Sequence, residues 1–193
     1  PGVYEVAFGT PLRQVFALCG GPDEPSAALV GGPSGQLVRP EDFDRTLCFD
    51  DLATGGALVV FGPGRDPLEL ASRCLAFFVH ESCGFCTPCR AGNVLLRQQL
   101  DALRAGRADA SDLRTLEELA RTVKTASRCG LGQTSPNPVL SLLARFRPAL
   151  ESRLQPHDPR KRRPSFALGE RLATSATPRP ERAGTAPASG GSR

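Results

Sequence analysis

The chain has 193 residues, 40% of them hydrophobic, and a formal net charge of +4 at pH 7. No apolar run reaches the roughly 18–20 residues that a membrane-spanning helix needs, and no secretory signal opens the sequence, so we expect a cytoplasmic protein without a transmembrane segment. From residue 151 onward nine Lys or Arg face four Asp or Glu, which places the positive charge at the C-terminal end and argues against a nucleic-acid-binding core. The sequence contains no methionine, and we expect it to be the C-terminal part of a longer protein.

Residues 1–65 have the pattern of a small α/β module. Apolar residues alternate over residues 4–8, as they do on a half-buried strand. Thr10 and Pro11 then supply an N-cap and a first helical residue, and an apolar helical face continues from there to a stop at Gly20. This segment therefore predicts a strand followed by a helix.

Two further apolar runs predict strands in the same module. AALV at residues 27–30 and ALVVF at residues 57–61 are each bounded by glycine and proline clusters. A strand, a helix and more strands within so short a segment favour a β-grasp-like or split α+β fold for residues 1–65.

Residues 66–153 predict an antiparallel four-helix bundle with short connections. The four helices are expected to begin near Asp66, Arg90, Asp109 and Asn137. The first opens with Asp66 and Pro67 and has Glu69 at its third position, the pattern of a capping box. The last contains Pro148, which we expect to kink or end it.

The helical periodicity stops at residue 154. Residues 154–193 are rich in Pro, Arg, Ala, Gly and Ser, a composition that cannot bury enough apolar surface to fold, so we expect a disordered tail. Within it, residues 165–173 have a short helical pattern. The RKRR stretch at residues 160–163 is similar to a nucleic-acid or nuclear-localisation patch, but we favour a solvated tail.

Three of the seven cysteines lie close together in ESCGFCTPCRAG, residues 81–92. Clustered cysteines without a secretory signal indicate metal or redox ligands before disulfides. Cys83, Cys86 and Cys89 are separated by two residues each, so one loop between two helices can turn all three sulfurs to the same side. A cubane [4Fe-4S] cluster takes three of its four thiolates from such an arrangement.

The fourth thiolate has a candidate in Cys129. Two antiparallel helices between residues 90 and 126 carry the chain out and back, so Cys129 can return beside the loop. Gly130 and Gly132 allow backbone N–H groups to approach the sulfurs closely, and such hydrogen bonds raise the potential of a cluster. Arg90 would add positive charge beside it.

Zinc is the alternative metal, although zinc sites usually combine two CxxC pairs with a spacer. The spacing of three cysteines plus one favours [4Fe-4S], and a zinc-stapled four-cysteine interaction module without redox activity is the rival function. Cys19, Cys48 and Cys74 stand singly in apolar contexts and are interpreted as small buried hydrophobic residues. His80 adjoins the motif and is interpreted as a capping or surface residue rather than an iron ligand.

ESCGFCTPCRAG and SRCGLGQTSPNPVL, residues 127–140, together resemble a known family. The family they resemble is the C-terminal region of the NADH-oxidising flavoprotein subunit. Respiratory complex I, NAD-dependent formate dehydrogenases and NAD-reducing hydrogenases share this subunit. The resemblance covers most of residues 1–150. It implies a ubiquitin-like, SLBB-type β-grasp domain followed by a helical bundle that holds one [4Fe-4S] cluster. The implied cluster ligands are Cys83, Cys86, Cys89 and Cys129.

In that family FMN and NADH bind to a larger glycine-rich domain upstream, and this sequence has no GxGxxG-type loop. The resemblance therefore implies an electron relay between FMN on another domain and the iron–sulfur clusters of partner subunits, including a [2Fe-2S] thioredoxin-like subunit or domain. Nothing in the sequence pairs a nucleophile with a base, so no catalytic residue and no FMN or NAD site is predicted here. GGPSG at residues 31–35 favours the soluble formate dehydrogenase or hydrogenase branch over complex I.

Overall fold

A small antiparallel sheet occupies the N-terminal part of the computed structural model, which describes residues 1–156. Its strands, in chain order, are β1 (Ala27–Val30), β2 (Gln36–Val38) and β3 (Leu58–Phe61). β1 lies in the middle and pairs Leu29 with Leu37 on one side and with Val59 on the other. The predicted strands at residues 27–30 and 57–61 are confirmed to within one residue, whereas the three-residue β2 carries too little pattern to be predicted.

Glycine is required in the turn between β1 and β2. Gly31 and Gly32 have φ angles of +97° and +65°, a backbone region that favours glycine. A Cβ on Gly35 would collide with the Val30 carbonyl oxygen. The GGPSG stretch is therefore explained by the geometry of this turn.

The strand predicted over residues 4–8 is wrong. This segment has no strand, and Tyr4 and Phe8 are 49% and 71% exposed. A period-two pattern makes a strand only where a partner strand and a core face are available, and here only Val6 packs against buried residues, while Phe8 stacks on Phe49 with ring centroids 5.2 Å apart. The apolar side chains of this segment therefore make isolated contacts.

The helix predicted after this segment is confirmed as α1 (Leu12–Cys19), which ends at Gly20 in the left-handed region with φ +63°. Its N-cap is Pro11 rather than Thr10. The Thr10 hydroxyl instead donates a hydrogen bond to the Ala7 carbonyl oxygen at 2.7 Å. The prediction is thus displaced by one residue at the N-terminus.

All four helices predicted after residue 66 are present. They are α2 (Pro67–Glu81), α3 (Thr87–Arg104), α4 (Ala110–Ala126) and α6 (Asn137–Arg145). Two short helices accompany them, α5 (Gly130–Thr134) and α7 (Arg147–Glu151). Asp66 caps α2 by accepting a hydrogen bond from the Leu68 N–H, and Asp109 with Asp112 forms a capping box at α4. The short α5 was not predicted, and the break expected at Pro148 comes two residues earlier, at Phe146.

One face of the sheet shares an apolar core with the helices α2, α3, α4 and α6, and a second cluster joins Ala28, Val30 and Val38 to α1. α2 packs against α3 and α6, and α4 packs against the same two helices. Leu29 and Leu37 of the sheet lie in the same cluster as the buried leucines of these helices. The Ser141 hydroxyl of α6 accepts a hydrogen bond from the Leu37 N–H at 2.9 Å. The architecture is therefore helical with a small antiparallel sheet, as an α+β fold predicts.

Residues 1–157 form one compact unit, and the boundary predicted between residues 65 and 66 stays a prediction. Within the described residues, no helix combines the length and apolar character required to cross a bilayer. Residues 154–156 have no regular secondary structure. The rest of the predicted disordered tail, with RKRR and residues 165–173, lies outside the described residues.

Candidate metal centre

The loop between α2 and α3 presents three of the cysteines. Ser82 ends α2, and Gly84 turns the chain with φ +77°. Cys86 is the N-cap of α3, and Cys89 lies in the first turn of that helix. Cys83 is exposed, Cys86 is half-buried and Cys89 is buried, so the three thiols are arranged from the surface inward.

Cys129 reaches the same end of the molecule from the other direction. It is the N-cap of α5 and is exposed. The antiparallel α3 and α4 return the chain, and a Cβ on Gly132 of α5 would lie 3.0 Å from the Cβ of Cys89. The expected return of this segment to the loop is therefore observed.

Electrostatics connects the four thiols. Burial raises the pKa of the Cys89 thiol, a hydrogen bond from Ser82 lowers it, and the charges of Cys86, Cys129 and Cys83 raise it further. The pKa of Cys86 is lowered, chiefly by the backbone N–H groups of Arg128 and Cys89. The other three thiols thus lie within electrostatic range of Cys89, and backbone donors are directed at Cys86.

A buried polar network supports Cys89. The Asn93 amide nitrogen donates to the Cys89 Sγ at 3.4 Å, and the Ser135 hydroxyl donates to the Asn93 Oδ1 at 2.7 Å. Asn93 and Ser135 are both 0% exposed. Neither residue was predicted as part of the site, although the spacing of four residues between Cys89 and Asn93 on a helix is a signal that places the two side chains together.

Positive charge lies at the rim of this centre. The Arg128 guanidinium lies over the Phe85 ring, 5.1 Å from its centroid, and Phe85 is 74% exposed. The stem of Arg90 runs along the loop, because a Cβ on Gly84 would be 3.7 Å from the Arg90 Cδ. Arg90 therefore lies beside the cysteine loop, as the sequence suggests.

The residues present fit a [4Fe-4S] cluster. A cubane takes one thiolate for each of its four irons. The cysteine loop and the start of α5 together offer four thiols, with backbone N–H groups directed at Cys86. The buried Ser127 hydroxyl has no hydrogen-bonding partner in the described part of the chain, yet it contributes to the lowered pKa of Cys86 and so lies beside that sulfur.

The other three cysteines and His80 do not belong to this group of four thiols. Cys74 is 7% exposed and burial raises the pKa of its thiol to about 11, which confirms it as a core residue. Cys19 and Cys48 are only half-buried, less than predicted, although Cys19 packs against buried apolar residues. His80 is a surface residue, as predicted, and its Nδ1 is 2.9 Å from the Glu81 carboxylate.

Comparisons with known proteins agree with this geometry. Residues 69–153 match the family described as the NADH-ubiquinone oxidoreductase-F iron-sulfur binding region. The chain is 42% identical over 159 residues to the NAD-reducing hydrogenase HoxS subunit alpha of Cupriavidus necator, covering 82% of this chain and 26% of that protein. It is 31% identical over 178 residues to the mitochondrial NADH dehydrogenase (ubiquinone) flavoprotein 1 of Dictyostelium discoideum, covering 86% and 37%.

A solved structure has the same fold. In the crystal structure of an NAD⁺-reducing [NiFe]-hydrogenase in the H2-reduced state, one chain superimposes on this protein with a TM-score of 0.76 and 40% identity. The match covers 90% of this chain and 30% of that one. The sequence thus spans between about a quarter and somewhat more than a third of the length of these relatives.

Proposed function

Because this chain belongs, through residues 69–153, to the family of the NADH-ubiquinone oxidoreductase-F iron-sulfur binding region, we propose that it relays single electrons through one [4Fe-4S] cluster. The proposed ligands are Cys83, Cys86, Cys89 and Cys129. The observation that carries the proposal is the close approach of α5 to the cysteine loop, where a Cβ on Gly132 would lie 3.0 Å from the Cβ of Cys89.

The side chains around the thiols suit an electron carrier. When bound, the cluster takes up one electron and gives it back without forming or breaking a bond to a substrate. Cys89 is buried against Asn93, while Cys83 and Cys129 are exposed. One side of the site is thus held in the core and excludes water, and the other side faces outward, where a donor or an acceptor can approach.

The zinc-stapled module is the second candidate. Zinc sites usually combine two CxxC pairs with a spacer, whereas here three cysteines lie in one loop and the fourth lies 40 residues further on, a spacing that favours the iron–sulfur cluster. The family match is to an iron–sulfur region and supports the same choice. We therefore retain the electron relay.

The relatives support a proposal for the wider assembly. Their names describe a subunit of an NAD-reducing hydrogenase and a flavoprotein of NADH dehydrogenase. We propose that the electron donor is FMN on a domain beyond this sequence, after NADH has reduced it. The proposed acceptors are iron–sulfur clusters of partner subunits, which include a [2Fe-2S] thioredoxin-like subunit or domain. The 42% identity to the HoxS protein supports a soluble hydrogenase or formate dehydrogenase as the parent over complex I.

Two structural proposals accompany this function. We propose that residues 1–65 form a β-grasp-like module and that α2, α3, α4 and α6 form the antiparallel four-helix bundle that holds the cluster.

All seven cysteines are free of disulfides, which suits a cytoplasmic protein because thiols there are kept reduced.

Reconstitution with iron and sulfide tests the proposal directly. The purified chain is expected to bind about four iron and four sulfide per molecule, to turn brown, and to give a low-temperature EPR signal after reduction. Tight binding of zinc with no uptake of sulfide would contradict the electron relay and support the alternative.

The ligand set is tested by a matched pair of variants. Cys129→Ala is expected to lose the cluster or degrade it, because one iron is left without a thiolate. Cys48→Ala is expected to retain it, since the Cys48 Sγ contacts the Thr46 hydroxyl at 3.4 Å and takes no part in the constellation. Iron content and the EPR signal are measured in both. Equal loss in both variants would show that the ligands are misassigned.

A further inference from the structure

The polar network behind Cys89 is built into the core rather than attached to the surface. Asn93 and Ser135 are both fully buried, although each carries groups that lose free energy when they leave water without a partner. Each finds partners here: Asn93 contacts the Cys89 Sγ at 3.4 Å, and the Ser135 hydroxyl is 2.7 Å from the Asn93 Oδ1 and 3.0 Å from the Gly132 carbonyl oxygen. An apolar side chain at position 93 would have none of these requirements.

We propose that Asn93, oriented by Ser135, is a positioning residue that donates an N–H···S hydrogen bond to Cys89 and raises the reduction potential of the cluster. This inference rests on the proposed function, because it concerns Cys89 as an iron ligand. It assigns to two core residues a role in setting the electron affinity of the site.

Helix geometry places the donor. Side chains four residues apart on a helix lie on one face, and the Cβ of each residue is tilted toward the N-terminus. The Asn93 side chain on α3 is therefore directed back toward Cys89. Ser135 reaches Asn93 from α5, so the network joins the two segments that supply the cysteines.

The charge of the ligand fixes the orientation of the amide. A thiolate accepts hydrogen bonds and cannot donate them, so iron-bound Cys89 requires the amide nitrogen of Asn93 rather than its oxygen. The Ser135 hydroxyl then donates to the Oδ1 that faces away from the sulfur. The two contacts support the same orientation, and exclusion of water from this buried position keeps the bond intact.

The direction of the effect follows from electrostatics. Reduction adds negative charge to the cluster and its sulfurs, so a donor aimed at a sulfur stabilises the reduced form more than the oxidised form. The Ser82 hydroxyl also contacts the Cys89 Sγ at 3.4 Å, but Ser82 lies in the half-buried loop, where water can replace it. We therefore expect Asn93 to have the larger influence.

Redox titration of the reconstituted full chain, followed by EPR, tests this inference. Asn93→Leu keeps the branching at Cγ, although leucine is the larger residue, and removes the donor. Its midpoint potential is expected to fall below that of the wild type at equal iron content. Ser135→Ala leaves the amide in place but frees its orientation, and a smaller shift in the same direction is expected. A wild-type potential in both variants would overturn the inference.

Ser141→Ala is the matched control for mere destabilisation. Ser141 is also buried and hydrogen-bonded, but to the Leu37 N–H of the sheet, away from the cysteines. Its removal is expected to lower stability without shifting the potential. If Ser141→Ala shifts the midpoint potential as much as Asn93→Leu does, the change in potential comes from loosening of the fold, and the inference is overturned.

A measurement on the unaltered protein covers the case in which Asn93→Leu does not fold. Asparagine occurs at positions 93 and 137 alone, so labelling its side-chain amide with ¹⁵N marks two sites. Pulsed EPR of the reduced protein is expected to show a ¹⁵N coupling that persists in Asn137→Ser. Absence of the coupling in a protein that contains iron and sulfide would overturn this inference alone, whereas absence of iron and sulfide would overturn the proposed function with it.

Discussion

Gly130 and Gly132 lie two residues apart on the same short helix, yet their surroundings differ. A Cβ on Gly130 would meet nothing within 4 Å. A Cβ on Gly132 would lie 2.6 Å from the Ser127 Oγ and 3.0 Å from the Cβ of Cys89. The sequence predicts close backbone approach for both glycines, and the structure places that requirement on Gly132.

Gly132→Ala is therefore expected to displace Ser127 and Cys89 and to weaken cluster binding about tenfold or more, the range seen when residues supporting metal ligands are changed. Gly130→Ala, on the same helix, is expected to bind the cluster as the wild type does. Iron retained after challenge with a chelator measures both. Equal retention in the two variants would contradict the close contact at Gly132.

At the scale of elements, the contact between α3 and α4 decides how near the two cysteine-bearing segments lie. Gly92 of α3 faces Val123 of α4, and a Cβ on Gly92 would collide with the Val123 side chain. Val123 is 0% exposed and β-branched, so its rotamer is restricted in the helix. The absence of a side chain at residue 92 thus allows the two helices to approach closely.

Gly92→Ala is expected to destabilise the fold by about 1–3 kcal/mol, because overpacking outweighs the better helix propensity of alanine. Val123→Ala in the same chain makes room for the new Cβ. The double variant is expected to be more stable than the sum of the two single changes by about 0.5–3 kcal/mol. Urea unfolding of the four proteins measures the coupling, and strict additivity would contradict the contact.

At the scale of the whole molecule, a charged link joins the sheet region to α6. The Asp42 carboxylate accepts hydrogen bonds from Arg145 at 2.6 Å and from Arg39 at 3.1 Å. Burial alone would raise the pKa of Asp42, but the hydrogen bonds and charges of Arg145 and Arg39 hold it below its ordinary value. The carboxylate therefore stabilises the folded state only while it is ionised.

The pKa of Asp42 is lower in the folded state than in the unfolded one. The stabilisation that its carboxylate provides is therefore complete above the pKa of the unfolded state, about 3.9, and is lost as the pH falls through the pKa of the folded state. Asp42→Asn is expected to lower the free energy of unfolding by about 1 kcal/mol at pH 7. The difference from the wild type should shrink below about pH 4. A difference that does not vary with pH would contradict this account.

Asp44→Asn is the control for this measurement. Asp44 pairs with Arg13, and their side chains are 79% and 62% exposed. Solvent screens such a pair, so its loss is expected to change stability much less than Asp42→Asn does. Urea unfolding between pH 3 and 7 compares the two variants.

The sequence by itself determined most of the helices, two of the three strands and the ligand candidates. Helical periodicity, Asp66 before Pro67 and Gly20 after α1 are local signals, because they concern the hydrogen bonds of one helix end, and they place the helices to within a few residues. The spacing of Cys83, Cys86 and Cys89 is local in the same way and predicts a metal-binding loop before any fold is known.

Only the tertiary structure decided which of these residues act together. The failed strand at residues 4–8 and the exposed Phe8 show that an alternating pattern does not create a partner strand. The pairing of Asn93 with Ser135, 42 residues apart, depends on the antiparallel return of α4 and on the close approach that Gly92 allows. Contacts between distant segments are fixed by packing, which no local pattern encodes, and the surroundings of the four thiols are made of such contacts.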